Sequence, residues 1–375
     1  METRTDNTEH KNERVLVAMS GGVDSSVSAA LLIEQGYEVE GAFIVTWQAP
    51  WLPCTWREER RDAMRVAARL GIPLHTIDLS AEYEHEVVNY LVREYEQGRT
   101  PNPDVMCNKH IKFGAFLKQA IERGFDKIAT GHYARVVREK GTNTASRYLL
   151  CTGADRMKDQ SYFLWTLGQE ELSRTLFPVG GHEKKDVREL ARQYGLPTAE
   201  KKDSQGVCFL GKVDMKEFLS HYIHAEPGEV FDTDGRVIGT HEGAVFYTIG
   251  QRHGFTVPAR DPFAEPLYIV AKDMEHNALV VAPAEAEDPA DTLSTTAIEL
   301  TDVQWVAGEA PLHIHTDGPI CARLRYRQPL FPVTITELAS THATVTPEVT
   351  QRFAPAGQSM VLYAGDVCLG GGIIT

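Results

Sequence analysis

The strongest constraint on the fold is a glycine-rich turn between an apolar run and a helical pattern near the start of the chain. Residues 15–19, Val-Leu-Val-Ala-Met, predict a buried strand, and residues 20–26, Ser-Gly-Gly-Val-Asp-Ser-Ser, lead into an apolar helix. Adjacent glycines permit a turn in which a β-carbon would clash, so the hydroxyl and N–H groups that open the helix face one point. Such a point attracts phosphate. Val23 and Asp24 stand where the usual phosphate loop carries its lysine.

The order of the predicted elements favours an α/β fold in the first part of the chain. We predict strands at residues 15–19, 39–45, 73–79 and 127–130. We predict helices between them at residues 25–35, 57–70, 81–96 and 112–123. Alternation of this kind predicts a doubly wound parallel sheet, with ligands at the carboxyl ends of its strands. The glycine-rich turn follows the first strand and so lies at such an end.

The second part of the chain changes to short β-rich runs broken by Gly, Pro, Asp and Asn. This pattern of short strands and turn residues predicts a small β-rich central domain followed by a C-terminal β-barrel. A length of 375 residues also exceeds what one hydrophobic core usually supports. We therefore predict a flexible N-terminal extension, an α/β domain, a central domain and a barrel, at residues 1–13, 14–224, 225–284 and 285–375.

Charge and cysteine content limit the function classes. A formal net charge of −14 argues against indiscriminate binding to nucleic acid, so any such contact must be local. Basic patches occur at residues 184–192 and 201–202, for which a solvated face is the simpler interpretation. No apolar run is long enough to span a bilayer. Six cysteines without a Cys-x-x-Cys pair favour the reducing cytoplasm over a disulfide scaffold or a zinc ribbon.

Two cysteines lie in polar, cationic surroundings. Cys107 follows two prolines, which we expect to hold the chain extended on a rigid loop before a helix that begins near Lys112. Lys109, Lys112 and the helix N-terminus would favour its thiolate, although an inert core cysteine is the alternative. Cys208 follows two lysines and lies between glycines, which suits a mobile sulfur carrier; the alternative is a packed strand residue.

The loop at residues 20–26 resembles that of the PP-loop ATP pyrophosphatases, although Asp24 read alone would also suit a helix cap. Further segments, in this order, resemble the bacterial tRNA-specific 2-thiouridylases over nearly the whole chain after residue 13. They include Gly-His-Tyr-Ala at 131–134, Lys-Asp-Gln-Ser-Tyr-Phe-Leu at 158–164, Asp203 to Gly211, Tyr-Thr-Ile-Gly-Gln-Arg at 247–252, Arg-Tyr-Arg at 325–327 and Cys-Leu-Gly-Gly-Gly at 368–372. The resemblance implies an adenine nucleotide hydrolase-like first domain and a tRNA-binding barrel.

The resemblance also implies the roles of particular residues. ATP contacts would be made by Ala18, Met19, Ser20, Gly21, Gly22, Val23, Asp24, Ser25, Ile44 and Gly131. The target base and tRNA would be contacted by Asn102, Pro103, Asp104, His132, Lys158, Asp159, Gln160, Arg325, Tyr326 and Gln358. Cys107 would be the nucleophile, Cys208 would carry sulfur as a persulfide, and Asp104 would act as an acid or base or only position the uridine.

The implied reaction has two halves. ATP, with Mg²⁺ to neutralise phosphate charge, would adenylate O2 of the wobble uridine and release pyrophosphate. Sulfur from the Cys208 persulfide would then replace that oxygen, leaving AMP and a disulfide between Cys107 and Cys208. The expected partners are a tRNA with a modifiable wobble uridine and a persulfide donor, such as a cysteine desulfurase or a sulfur-relay protein, with no membrane.

Two other functions compete with this one. Another PP-loop adenylating ligase or amidotransferase would need the loop but neither cysteine. An RNA-binding module with a vestigial nucleotide site would retain the tRNA-contact segments and would release no pyrophosphate.

Overall fold

The computed structural model describes residues 12–51, 56–139, 146–202, 214–258, 265–283, 294–295, 297–310, 319–352 and 354–375. Three sequence predictions therefore lie outside the described residues. They are the setting of Cys208, most of the N-terminal extension and most of the barrel's first ten residues.

A five-stranded parallel sheet organises the first domain. Its strands are β1 (Arg14–Ala18), β2 (Glu38–Val45), β3 (Leu74–Asp78), β4 (Lys127–Ala129) and β7 (Thr175–Leu176). They lie side by side in the order β3-β2-β1-β4-β7, all parallel. The order reverses between β1 and β4, which opens a crevice at the carboxyl ends of those two strands. The predicted α/β fold is confirmed.

Helices cover both faces of this sheet. They are α1 (Val23–Glu34), α2 (Trp56–Leu70), α3 (Ser80–Tyr83), α4 (Asn89–Glu96), α5 (Pro103–Met106), α6 (Leu117–Glu122), α7 (Gln169–Ser173), α8 (Lys184–Gln193) and α9 (Met215–Ser220). The π-helical segments Glu84–Val88 and Cys107–Phe116 join α3 to α4 and α5 to α6. Side chains alternate along β1, so Val15 and Val17 pack with α1, α2 and α8, whereas Leu16 packs with the helices on the other face.

The central domain is a four-stranded sheet. Its strands are β8 (Gly228–Phe231), β9 (Val237–His241), β10 (Leu267–Asp273) and β11 (Ala278–Pro283), in the order β10-β11-β8-β9. Inward-facing Val230, Ile269 and Leu279 form its small separate core.

Six antiparallel strands close the C-terminal barrel. They are β13 (Ile298–Trp305), β14 (Ile320–Arg323), β15 (Phe331–Leu338), β16 (Ala343–Pro347), β18 (Ser359–Ala364) and β19 (Val367–Ile374). The order β13-β16-β15-β14-β18-β19 is closed by pairing of β13 with β19, and β12 (Ser294–Thr295) pairs with β17 (Gln351–Arg352) beside it. Closure leaves these six strands without an open edge, and it confirms the predicted barrel.

A hairpin of the first domain joins the barrel. Strands β5 (Ala134–Glu139) and β6 (Arg147–Thr152) extend the barrel's sheet, because β6 pairs with β19 through Cys151 opposite Val367 and Leu150 opposite Cys368. The sequence did not indicate this pairing. Among the helices of the described residues, none combines the length and apolar character that crossing a bilayer requires.

Candidate nucleotide and tRNA site

The glycine-rich turn lies between β1 and α1, at the point where the strand order reverses. Gly21 has φ +73, and a Cβ there would lie 2.3 Å from the Glu59 carbonyl oxygen, so glycine is required by both backbone and space. Gly22 is the N-cap of α1 and, having no side chain, leaves the helix opening uncapped by its own residue. The first N–H groups of a helix have no intrahelical acceptor, so this opening presents donors to a ligand.

Serine hydroxyls hold the turn in shape. The Gly22 N–H donates to Ser20 Oγ at 3.3 Å, and the hydroxyls of Ser25 and Ser26 donate to the Gly22 carbonyl at 3.2 and 2.7 Å. The Ser20 N–H in turn donates to Ser25 Oγ at 3.3 Å. The loop is therefore preformed by contacts among its own residues.

The other residues that we predicted to bind ATP are at the same edge of the sheet. Gly131 follows β4, and a Cβ on it would lie 2.7 Å from the Ser25 nitrogen. Ala18 ends β1 and Met19 follows it, while Ile44 is buried near the end of β2. Ile44 lines a small cavity with Phe43, Thr46, Trp47, Gln48, Trp56 and Glu59. Burial raises the pKa of the Glu59 carboxyl in this wall.

Asp24 does not cap the helix. Its two carboxylate oxygens lie 2.7 and 2.8 Å from Lys184 Nζ, and the Tyr133 hydroxyl donates to its Oδ1 at 2.8 Å. Lys184 is the first residue of α8, and its side chain is only 13% exposed. The solvated-face interpretation of this lysine is therefore wrong, because the packing of α8 on α1 turns it inward.

A second lysine, Lys201, links the loop to Asp62 of α2. Lys201 Nζ donates to the Gly21 carbonyl at 3.0 Å and pairs with Asp62 at 2.7 Å. This contact lowers the pKa of the Asp62 carboxyl. The loop thus lacks a lysine in its own sequence but has two from distant segments. The only sequence signal for them was the pair of basic patches.

Cys107 lies within a helix. The predicted extended loop before Lys112 is wrong, because Pro103 occupies the first turn of α5, where proline is tolerated, and the Asn102 side chain caps that turn through the Val105 N–H at 3.3 Å. Cys107 begins the π-helical segment and is fully buried in the hydrophobic core. Of the two predicted cationic neighbours, Lys109 is exposed.

Lys112 points towards β4 and His132. Its Nζ is 3.4 Å from His132 Nε2, and His132 Nδ1 is 2.6 Å from Thr130 Oγ1. Burial, together with the charge of Lys112, holds the pKa of His132 well below its usual range. The imidazole is therefore neutral at pH 7.

Several residues that we predicted to contact tRNA tie the domains together. Asp159, with a side chain 1% exposed, accepts hydrogen bonds from the N–H groups of Gly153 and Ser161 at 3.1 Å each and pairs with barrel residue Arg323 at 3.4 Å. The Gln358 amide donates to the Thr100 and Pro101 carbonyls at 2.7 and 3.1 Å. Gln160 instead makes its contact within the first domain, where it accepts from the Tyr133 N–H at 3.0 Å. Their contact with tRNA stays a prediction.

Other members of that set lie nearer the surface. Arg325 is exposed, Lys158 and Asp104 are partly exposed, and Tyr326 packs its ring on Phe163 at 4.8 Å between centroids. Phe163 in turn accepts a hydrogen bond on its carbonyl from Asn108 Nδ2 at 3.0 Å. A continuous set of contacts therefore leads from the Tyr326 loop of the barrel to the residue next to Cys107.

Comparisons with known proteins cover the whole architecture. Family models match residues 13–212 (tRNA methyl transferase HUP domain), 216–283 (tRNA methyl transferase PRC-barrel domain) and 295–374 (aminomethyltransferase beta-barrel domain). A solved 4-thiouridine synthetase–RNA complex with bound ATP is 21% identical, over 56% of this chain and 50% of that one, with a TM-score of 0.36. That likeness is too weak to carry an argument.

Curated relatives are much more similar. The tRNA-specific 2-thiouridylase MnmA 2 of Geobacillus kaustophilus is 46% identical over 96% of this chain and 94% of its own length. The tRNA-specific 2-thiouridylase MnmA of Pseudomonas fluorescens is 45% identical over 97% and 95%. With identity at this level along the full architecture, the chain belongs to the tRNA-specific 2-thiouridylase family.

Proposed function

We propose that this chain is a tRNA uridine 2-sulfurtransferase. It uses ATP to adenylate O2 of the wobble uridine, and persulfide sulfur then replaces that oxygen to give 2-thiouridine, AMP and pyrophosphate. The observation that carries the proposal is the preformed loop between β1 and α1, in a chain whose sequence is 46% identical to that of a named 2-thiouridylase. The reducing cytoplasm suits the thiol chemistry of this reaction.

The loop supports adenylation rather than methyl transfer. The family models carry methyl-transferase descriptions, but a helix N-terminus behind two glycines is suited to phosphates, which methyl transfer does not require. In the first half-reaction, uridine O2 bonds to the α-phosphorus and pyrophosphate departs. The residues proposed to hold the triphosphate are Ala18, Met19, Ser20, Gly21, Gly22, Val23, Asp24 and Ser25, with Ile44 and Gly131 beside the nucleoside.

A magnesium ion on the triphosphate would add neutralising charge. Mg²⁺ bound with substrate phosphates needs one or two protein carboxylates. Asp24 at the loop would supply that carboxylate by exchanging its ion pair with Lys184 for the metal ion. Elsewhere in the described part of the chain, no three His, Cys, Asp or Glu side chains converge on a possible metal position.

The second half-reaction uses two cysteines. The Cys107 thiolate attacks the Cys208 sulfur, the persulfide S–S bond breaks, and the terminal sulfur bonds to C2 of the uridine as AMP leaves. A disulfide between the cysteines remains, and an external thiol reduces it. Cys107 is fully buried, so it must become accessible before its thiolate can reach Cys208. Asp104, three residues earlier, is partly exposed and is proposed as the acid, base or positioning group.

The barrel and the surface around Tyr326 would hold the tRNA. Arg325 can grip phosphate, and an aromatic ring such as that of Tyr326 can stack on an unpaired base. The contacts from Tyr326 through Phe163 to Asn108 place this surface next to the helix that carries Cys107. The sulfur donor is proposed to be a persulfide-bearing protein.

The test is mass analysis of tRNA nucleosides after incubation with ATP, Mg²⁺ and a persulfide donor. We expect 2-thiouridine and stoichiometric pyrophosphate from the unmodified chain. Cys107→Ser and Cys208→Ser should each abolish thiolation and retain tRNA binding, whereas Cys321→Ser, on β14, should thiolate normally. Pyrophosphate release without thiolation would indicate a different adenylating enzyme. Binding of tRNA without pyrophosphate release would indicate a vestigial nucleotide site.

A further inference from the structure

A single helical turn, Ser161–Phe163, lies between the barrel and the helix that carries the proposed nucleophile. Phe163 contacts both neighbours, because its ring packs against Tyr326 and its carbonyl accepts from Asn108. Tyr162, the residue before it, is 1% exposed, and the ring centres of the two are 5.3 Å apart. A buried tyrosine hydroxyl needs hydrogen-bond partners among the residues around it.

The Tyr162 hydroxyl meets groups from two domains. Its oxygen lies 3.0 Å from the Leu324 carbonyl oxygen and 2.9 Å from that of Ser359, both in the barrel. The Asn102 side chain forms a further hydrogen bond with it. A phenol has one proton to donate and the carbonyls can only accept, so the bond from Asn102 is donated by its amide N–H group. Because the oxygen of the same amide accepts from the Val105 N–H and caps α5, both ends of this amide are held.

The two barrel segments at this hydroxyl are those that carry the proposed tRNA contacts. Leu324 immediately precedes Arg325, and Ser359 immediately follows Gln358. Gln358 also donates to the carbonyls of the two residues before Asn102. The barrel therefore fixes the chain at residues 100–102, immediately before α5.

We propose that Tyr162 is a positioning residue for the target uridine: its hydroxyl links the barrel segments that receive tRNA to Asn102 and so aligns the segment that meets the base. The inference rests on the proposed function, because it places the uridine beside Asn102. Asn102 leads directly into α5, and Cys107 follows α5. A shift of Asn102 therefore moves uridine O2 relative to ATP at the loop, and a misplacement of about 1 Å can cost about 10²-fold in rate.

A positioning role and a structural role give different kinetics. Tyr162 is buried, and phosphate contacts supply much of the affinity for nucleic acid, so loss of its hydroxyl removes no tRNA contact. Positioning therefore predicts slower turnover at saturating tRNA with the tRNA dissociation constant nearly unchanged. A structural role alone predicts a lower free energy of unfolding with normal turnover of the folded protein.

The experiment measures pyrophosphate release at saturating tRNA, ATP and Mg²⁺, together with tRNA affinity and urea unfolding, for the full chain and its variants. Tyr162→Phe should slow pyrophosphate release about tenfold or more, the effect of one buried hydrogen-bonded hydroxyl. Its tRNA dissociation constant should stay within about twofold of that of the unmodified chain. The matched control Tyr363→Phe removes another buried hydroxyl, which bonds with Ser161 Oγ at 3.2 Å, and should release pyrophosphate at the unmodified rate.

A second variant tests the contact from its other end. Asn102→Ser keeps an oxygen that can cap α5 but lacks the amide that reaches Tyr162, so it should also slow pyrophosphate release about tenfold or more. Because it leaves the buried tyrosine in place, it provides the test even if Tyr162→Phe does not fold. In the Asn102→Ser background, Tyr162→Phe should cause a further loss of no more than about twofold, because the two residues act through one contact.

The outcomes separate the inference from the proposed function. Normal pyrophosphate release by either single variant, additive losses in the double variant, or a loss confined to tRNA affinity would overturn the inference while the proposed function stands. If the unmodified chain releases no pyrophosphate with tRNA and ATP, the proposed function itself fails.

Discussion

The buried ion pair between Asp159 and Arg323 yields the sharpest stability prediction. Asp159 lies in the first domain and Arg323 on β14 of the barrel, with exposed side-chain fractions of 1% and 9%. The guanidinium also lies 4.8 Å from the centre of the Tyr363 ring. Removing one partner of a buried pair leaves the other charge desolvated and unpaired, which costs about 3–5 kcal/mol.

Two substitutions separate the charge from the hydrogen bonds. Asp159→Asn keeps an oxygen that can accept from the Gly153 and Ser161 N–H groups, so it should lower the free energy of unfolding by about 3 kcal/mol through the unpaired Arg323 alone. Asp159→Ala also leaves those N–H groups without their acceptor, which adds about 1–3 kcal/mol.

Urea unfolding followed by tryptophan fluorescence measures both variants. The matched control is Glu122→Gln, which removes one carboxylate at the exposed end of α6. Its free energy of unfolding should stay within about 0.5 kcal/mol of that of the unmodified chain. An Asp159→Asn variant as stable as this control would refute the reasoning, as would an alanine variant no less stable than the asparagine variant.

Two further predictions concern the crevice. Gly131→Ala places a methyl group 2.7 Å from the Ser25 nitrogen, so it should displace the opening of α1 and weaken ATP binding about tenfold or more in calorimetry, whereas Gly181→Ala, with nothing within 4 Å of its Cβ, should bind normally. The pKa of His132 is depressed in the folded chain, so between that pKa and about 6.5 the unfolded chain binds one more proton than the folded chain. The free energy of unfolding therefore falls as the pH falls through this range, by up to about 1.4 kcal/mol per pH unit. The difference in urea midpoint between pH 7.5 and 5.5 should therefore shrink in His132→Gln, and an unchanged difference would contradict the assignment.

The fold was predictable where local patterns determine it. Buried Val15, Leu16 and Val17 alternate between two helical layers, and the glycine turn, the helix and the next strand follow as their patterns indicated. The helix carrying Cys107 was missed because proline bars a helix interior but suits the first turn, and Pro103 stands in that first turn. Whether a proline prevents a helix or stands in its first turn depends on the residue at which the helix begins.

The site was predictable in its loop and not in its lysines. The glycines and serine hydroxyls of residues 20–26 are enough to predict a phosphate site. Lys184 and Lys185 look alike in the sequence, and only the packing of α8 on α1 decides that one faces Asp24 and the other water. The pairing of β6 with β19 was equally hidden, since 210 residues separate Arg156 from Asp366 at that junction.

That junction has a consequence for how the chain is made. A ribosome adds about 5–20 residues per second, so roughly 10 to 40 s pass between the synthesis of Arg156 and that of Asp366. Throughout that interval the edge of β6 that faces away from β5 has no neighbouring strand, and an unpaired edge is a template for association with other chains. The hairpin of β5 and β6 therefore cannot complete its sheet pairing as the first domain emerges. The pairing of β6 with β19 is therefore a late step that waits for the synthesis of the barrel, and a ribosome that stalls within the barrel leaves a nascent chain with an exposed, aggregation-prone strand.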